Sequence, residues 1–131
     1  MQIKIALQLL VLSILLTACN KTTSDAEIRQ KIVGTWTPLR SSVHPQAPNE
    51  TEIRSDGGFT TRWKMATKEL AIEGNWAVQN GLVTFTKTNV VGADPNKFGA
   101  RVQNSKIVRI DSREMVLNDG DPTDLTTMER K

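Results

Sequence analysis

Leu70-Ala71-Ile72-Glu73-Gly74-Asn75-Trp76-Ala77-Val78-Gln79-Asn80-Gly81-Leu82-Val83-Thr84-Phe85 is the stretch that decides the fold. Leu70, Ile72, Trp76 and Val78 fall on one side of an extended chain, and Ala71, Glu73, Asn75, Ala77 and Gln79 on the other, which is the alternation of a half-buried strand. Gly74 interrupts the apolar row, as happens where a barrel strand bends sharply. Asn80-Gly81 is the strongest short hairpin signal in the chain. With a two-residue loop there, Gln79 faces Leu82, Val78 faces Val83 and Trp76 faces Phe85, so the large apolar pairs share one face.

The same reasoning sets loop lengths elsewhere, because a slip of one residue sends a whole apolar row into water. At Asp56-Gly57-Gly58 a three-residue turn with a glycine bulge sets Ser55 against Phe59 and Ile53 against Thr61, whereas a two-residue loop sets Arg54 opposite Phe59. At Ser112-Arg113 the two-residue loop is the consistent one, pairing Ile110 with Met115 and Val108 with Leu117. Further strands are expected near Thr35 to Ser42, Glu50 to Ser55, Phe59 to Met65, Ala100 to Asp111, Glu114 to Asn118 and Asp124 to Arg130. The proline- and glycine-bearing breaks, Val43 to Pro48 and Val91 to Phe98, read as exposed loops.

Ahead of the strands, Ser24-Asp25-Ala26-Glu27 matches a capping box, and Ile28 and Ile32 share a face of the short helix it opens. Gly34 is placed to end that helix in the left-handed conformation. Eight short strands in series can abolish their edges by closing, so the expected fold is all-β: an eight-stranded antiparallel up-and-down barrel with a short N-terminal helix, favoured over an open sandwich.

Gly34-Thr35-Trp36 opening the first strand, followed by a meander that ends in Met128-Glu129-Arg130, resembles the lipocalin superfamily. Ser55-Asp56-Gly57-Gly58-Phe59, and Gly74-Asn75-Trp76 followed by Asn80-Gly81-Leu82, are similar to segments of small bacterial lipocalin-like domains. The resemblance implies that Trp36 plugs the closed end of the barrel and that Arg130 packs across its indole as a cation-π partner.

The N-terminus carries a different message. Lys4 precedes an apolar run, and Leu16-Thr17-Ala18-Cys19 resembles the lipobox of bacterial lipoproteins, which implies cleavage before Cys19 and acylation of that residue. A helix from Ile5 to Leu16 would rise only about 18 Å, short of a hydrocarbon layer of about 30 Å, so the run is a leader rather than a span. The expected organisation is therefore a signal peptide at 1–18, a lipidated cysteine and tether at 19–23, and a lipocalin-like barrel at 24–131. The tether, Asn20 to Thr23, reaches no more than about 15 Å, which keeps the domain near the bilayer. Asn20 after the cysteine, in place of aspartate, resembles the signal that sorts lipoproteins to an outer membrane, facing the periplasm of a Gram-negative cell.

Cys19 is the only cysteine, so no disulfide staples the domain and packing must hold it. The net charge of +3 falls to +2 once Lys4 leaves with the leader, too small a surplus to argue for nucleic acid. Arg54, Arg62, Lys64, Arg101, Lys106, Arg109 and Arg113 alternate with acids and threonines, the pattern of a solvated barrel exterior.

The expected interior carries Ile53, Phe59, Trp63, Met65, Leu70, Ile72, Trp76, Val78, Val83, Phe85, Val108, Ile110, Met115, Leu117 and Met128. So many bulky groups in short strands favour a filled core over an open pocket. The best candidates to line any pocket are Trp63 and Met65, with Phe59, because aromatic and thioether surfaces suit an apolar guest. Catalysis finds little support. His44, the only histidine, lies in a proline-bounded loop without a nucleophile, and Glu50, Glu52 and Glu73 fall on solvent-facing positions. Asn118-Asp119-Gly120-Asp121 with Asp124 is turn chemistry rather than an EF-hand calcium loop. No cofactor or metal is called for. Two functions follow: a membrane-anchored, non-enzymatic barrel that binds a small hydrophobic or amphipathic molecule, or a solid barrel whose loops, Val43 to Asn49 and Val90 to Gly99, engage an envelope protein.

Overall fold

The computed structural model describes residues 23–39, 47–97, 99–120 and 123–131. The leader, Cys19, the tether before Thr23, the far end of the first expected strand at Ser42, His44, Phe98 and Asp121 lie outside the described residues.

Helix α1 (Asp25–Ile32) starts on Ser24, whose hydroxyl accepts the Glu27 amide at 3.2 Å, and it buries Ile28 and Ile32. It does not end on a left-handed glycine. Val33 is already extended, and Gly34 (φ +148°) is the first residue of β1. Gly34 is required for a different reason: a Cβ there would lie 2.3 Å from the Arg130 guanidinium.

Eight strands follow, β1 (Gly34–Pro38), β2 (Glu50–Ile53), β3 (Gly58–Lys64), β4 (Glu69–Gln79), β5 (Leu82–Val91), β6 (Val102–Ile110), β7 (Glu114–Asn118) and β8 (Leu125–Arg130). Each is antiparallel to the next, and β8 pairs with β1 to close the barrel. The β4–β5 hairpin has the register read from its sequence, with Gln79 opposite Leu82, Val78 opposite Val83 and Trp76 opposite Phe85. Asn80 (φ +53°) and Gly81 (φ +74°) supply the two positive φ angles of a type I′ turn.

Two other hairpins differ from expectation. The β2–β3 loop has three residues, but they are Ser55-Asp56-Gly57, so Ile53 faces Phe59 and Thr51 faces Thr61. Gly57 takes the positive φ and Asp56 accepts the Gly58 amide at 2.8 Å, which frees Gly58 to enter the strand. The slip is two residues, so Ile53 and Phe59 stay on the inner face. Between β6 and β7 the Ser112-Arg113 loop and the Ile110–Met115 pair stand as expected, but Leu117 faces Ile107. Val108 is extruded in a bulge and is 54 % exposed rather than inward.

One end of the barrel is sealed. Trp36 is 0 % exposed and packs with Ile28, Ile32, Val78, Val83, Ile110 and Met115. The helix is pinned over that end by the Asp25 carboxylate, which accepts the Asn80 and Gly81 amides at 2.8 Å each, and by Arg29, which donates to the Val78 carbonyl at 2.8 Å.

Candidate functional site

The expected filled core holds only for the half of the barrel beneath α1. Toward the other end the strands diverge around a hollow of about 670 Å³ that opens between the β1–β2, β5–β6 and β7–β8 connections. The floor is apolar: Ile53, Phe59, Phe85, Met115 and Met128 reach it from five strands. Phe59 and Phe85 meet edge to face at 5.1 Å between centroids, a geometry favoured by the ring quadrupoles. Gly74 makes that pairing possible, since a Cβ there would stand 1.9 Å from the Thr86 carbonyl oxygen and 2.9 Å from the Phe59 ring.

Above the floor the wall turns polar. Thr51 and Thr61 share a hydrogen bond at 3.1 Å across β2 and β3. On the far side Ser105 donates to the Asp119 carboxylate, with Gln103 and Thr126 beside them. A hydroxyl and amide lining of this kind can position one polar group of a guest without requiring a charge.

Of the residues expected to line a pocket, Phe59 and Trp63 do so and Met65 does not. Strand β3 ends at Lys64, Met65 donates its amide to the Lys68 carbonyl at 2.9 Å in the turn that follows, and its side chain is 49 % exposed. The in-out alternation lapses where the strand stops. Arg101, expected on the solvated exterior, faces the mouth of the hollow together with Lys87. The bulge at Val108 is the cause, because one extra residue reverses which side chains of β6 point inward. Ser105, Gln103 and Arg101 therefore take the inner face, and the sequence signals this only through the adjoining apolar pair Ile107-Val108, which breaks the alternation without saying which of the two turns inward.

Exposed apolar side chains gather at the rim. Leu39, Met65, Val91, Val102 and Leu125 stand at or next to the mouth-side ends of β1, β3, β5, β6 and β8.

Carboxylates elsewhere serve the outer wall. Arg62 bridges Glu50 at 3.5 Å and Glu52 at 3.3 Å, and Lys131 reaches Glu50 at 3.1 Å. The Lys131 hydrogen bond holds the Glu50 carboxyl below its usual range. Among the described residues no three His, Cys, Asp or Glu side chains converge as metal ligands, and no helix is long and apolar enough to cross a membrane.

No family model matches the chain, and no curated protein sequence does. A solved structure of a lipocalin-like protein from Bacteroides uniformis superimposes with a TM-score of 0.54 at 10 % identity, covering 77 % of this chain and 98 % of that one. The likeness establishes the fold, a lipocalin-like barrel.

Proposed function

We propose that this chain is a lipid-anchored lipocalin-like lipoprotein that holds a small hydrophobic or amphipathic molecule in its cup and catalyses no reaction. The observation that carries the reading is the hollow of about 670 Å³ over an apolar floor, a size within the range of about 300–1,000 Å³ common to small-molecule sites. A solid barrel acting only through its loops would have no need of that space, which is why the scaffold reading stands second.

The anchor rests on Leu16-Thr17-Ala18-Cys19. Its consequence for geometry is direct. Ser24, the first residue of the helical cap, belongs to the sealed end, and the tether reaches only about 15 Å. An acylated Cys19 would then hold the sealed end against its own bilayer and turn the mouth, with its apolar rim, away from it. A ligand would enter from solution or from a partner rather than laterally from the anchoring leaflet.

Titration with a hydrophobic fluorophore tests the cup, with Trp63→Ala expected to weaken uptake and unchanged binding in that variant counting against it. Metabolic labelling with palmitate tests the anchor, with incorporation expected in the native chain and lost in Cys19→Ala.

A further inference from the structure

We propose that Asn80-Gly81 is a deamidation site held in check by Asp25, and that its conversion unlatches α1 from the sealed end of the barrel. Neither step depends on what the cup holds.

Asn80-Gly81 is the only Asn-Gly step in the sequence. An asparagine side-chain amide is attacked most readily by the backbone nitrogen that follows it when the next residue is glycine, because no Cβ crowds the approach. Asn80 is exposed at the tip of the β4–β5 turn, open to water.

A clamp sets this step apart. In a two-residue hairpin loop the two central amides have no partner in the ladder and must find one elsewhere. One carboxylate serves both: Asp25 Oδ2 accepts the Asn80 amide and Oδ1 the Gly81 amide, each at 2.8 Å. Those two nitrogens are the ends of the N–Cα–C–N dihedral, the ψ angle of Asn80. Attack requires that angle to turn until the Gly81 nitrogen lies over Cγ of Asn80. With both nitrogens on Asp25 it is fixed, and the Gly81 proton that must leave is engaged. Lifting α1 away frees the turn without melting the barrel, an opening local to one contact.

The chemistry then needs only water. The Gly81 nitrogen gives up its proton and bonds to Asn80 Cγ, the Cγ–Nδ2 bond breaks, and ammonia leaves with that proton as a cyclic succinimide forms. Water adds at one ring carbonyl and reopens the ring to aspartate, or to isoaspartate with the chain running through the side-chain carbonyl. Either product sets a carboxylate beside that of Asp25. Like charges so placed repel, and Arg29, the cation whose field reaches Asp25, is already engaged by the Val78 carbonyl. The grip that pins the helix becomes a repulsion, and Ile28 and Ile32 lose their hold on the core around Trp36.

Incubation of the folded chain at neutral pH, well below its melting temperature, followed by peptide mass mapping, tests the clamp. Conversion at Asn80 is expected to be slow in the native chain and about tenfold faster in Asp25→Ala, the scale of one lost charge-assisted hydrogen bond. In urea the two chains should convert at one rate, since both have lost the clamp. Gly57→Ala lowers stability at another turn and should leave the folded rate unchanged. No acceleration in Asp25→Ala, or a slower rate that makes the carboxylate a base for the attack, overturns the clamp. Equal acceleration in Gly57→Ala assigns the protection to global stability and overturns it too. Asn80→Asp reads the unlatching, since aspartate tolerates the positive φ as asparagine does. Its thermal midpoint should fall, and the same change should cost little in an Asp25→Asn background. An equal fall in both backgrounds overturns the unlatching.

Discussion

The guanidinium carbon of Arg130 stands 4.4 Å from the centroid of the Trp36 ring, and the same group donates to the carbonyls of Val33 at 2.8 Å, Lys31 at 2.5 Å and Ser112 at 2.8 Å. Trp36 in turn donates its indole N–H to the Ile32 carbonyl at 2.8 Å. The last carbonyls of α1, which the helix cannot satisfy internally, are thus capped by two side chains from opposite ends of the barrel sequence. Arg130→Met removes the cation-π contact and three charge-assisted bonds, two of them solvent-facing. It is expected to cost about 2–3 kcal/mol, read as a lower urea midpoint at unchanged slope. Arg130→Lys keeps the charge without the fork and should recover only part of the loss; full recovery would reduce the contact to simple charge.

Gly74 is the tightest approach in the sheet, and what blocks a side chain there is backbone, the Thr86 carbonyl oxygen, which cannot rotate away. Gly74→Ala is expected to cost about 3 kcal/mol or more, and Gly57→Ala, with open space around a positive φ, only about 1 kcal/mol. Thermal midpoints of the two variants rank them. The reverse order would mean that the β4 bend is not the constraint.

Stability should fall in acid through Asp25. The amides of Gly81 and Asn80 hold its carboxyl below the 3.8 of a solvated aspartate. Its pKa is lower folded than unfolded, so its contribution is complete above the unfolded value and is lost as pH drops through the folded one. Asp111 is lowered in the same sense by the Arg113 and Glu114 amides. Melting temperature measured from about pH 5 downward should decline less steeply in Asp25→Asn than in the native chain. Parallel curves would remove Asp25 from the account.

Trp63 and Met65 are both bulky, both near the rim and two residues apart, yet only Trp63 lines the hollow. Trp63→Ala should weaken a hydrophobic probe about tenfold, while Met65→Ala leaves it unchanged. Equal losses would mean that the β3–β4 turn folds over the mouth when a guest is bound.

The fold was legible wherever the alternation ran unbroken between clear turn residues. The β4–β5 register follows from Asn80-Gly81, and the Ile110–Met115 pair from Ser112-Arg113. The β2–β3 register did not, because Gly57 and Gly58 adjoin and the chain places the positive φ on the first of them. The aromatic part of the site, Phe59 and Trp63, could be read from β3. Its polar part could not. Extrusion of Val108 reverses the parity of β6, so a reading that puts Val108 inward sends Ser105, Gln103 and Arg101 to the outside. The trace in β6 is the adjoining apolar pair Ile107-Val108, either of which could face inward, and the choice between them is made by pairing with β7.

Thr61 faces Ile72 across β3 and β4 and points into the hollow, half-buried. Fluorescence titration of the native chain and of Thr61→Trp with an aminoanthracene probe is the most direct test of a cup that takes a guest. The account predicts saturable binding to the native chain and none to the variant, whose indole occupies the space while its circular dichroism is retained. A native chain that leaves the probe in water, or a Thr61→Trp variant that binds it equally well, would contradict the account.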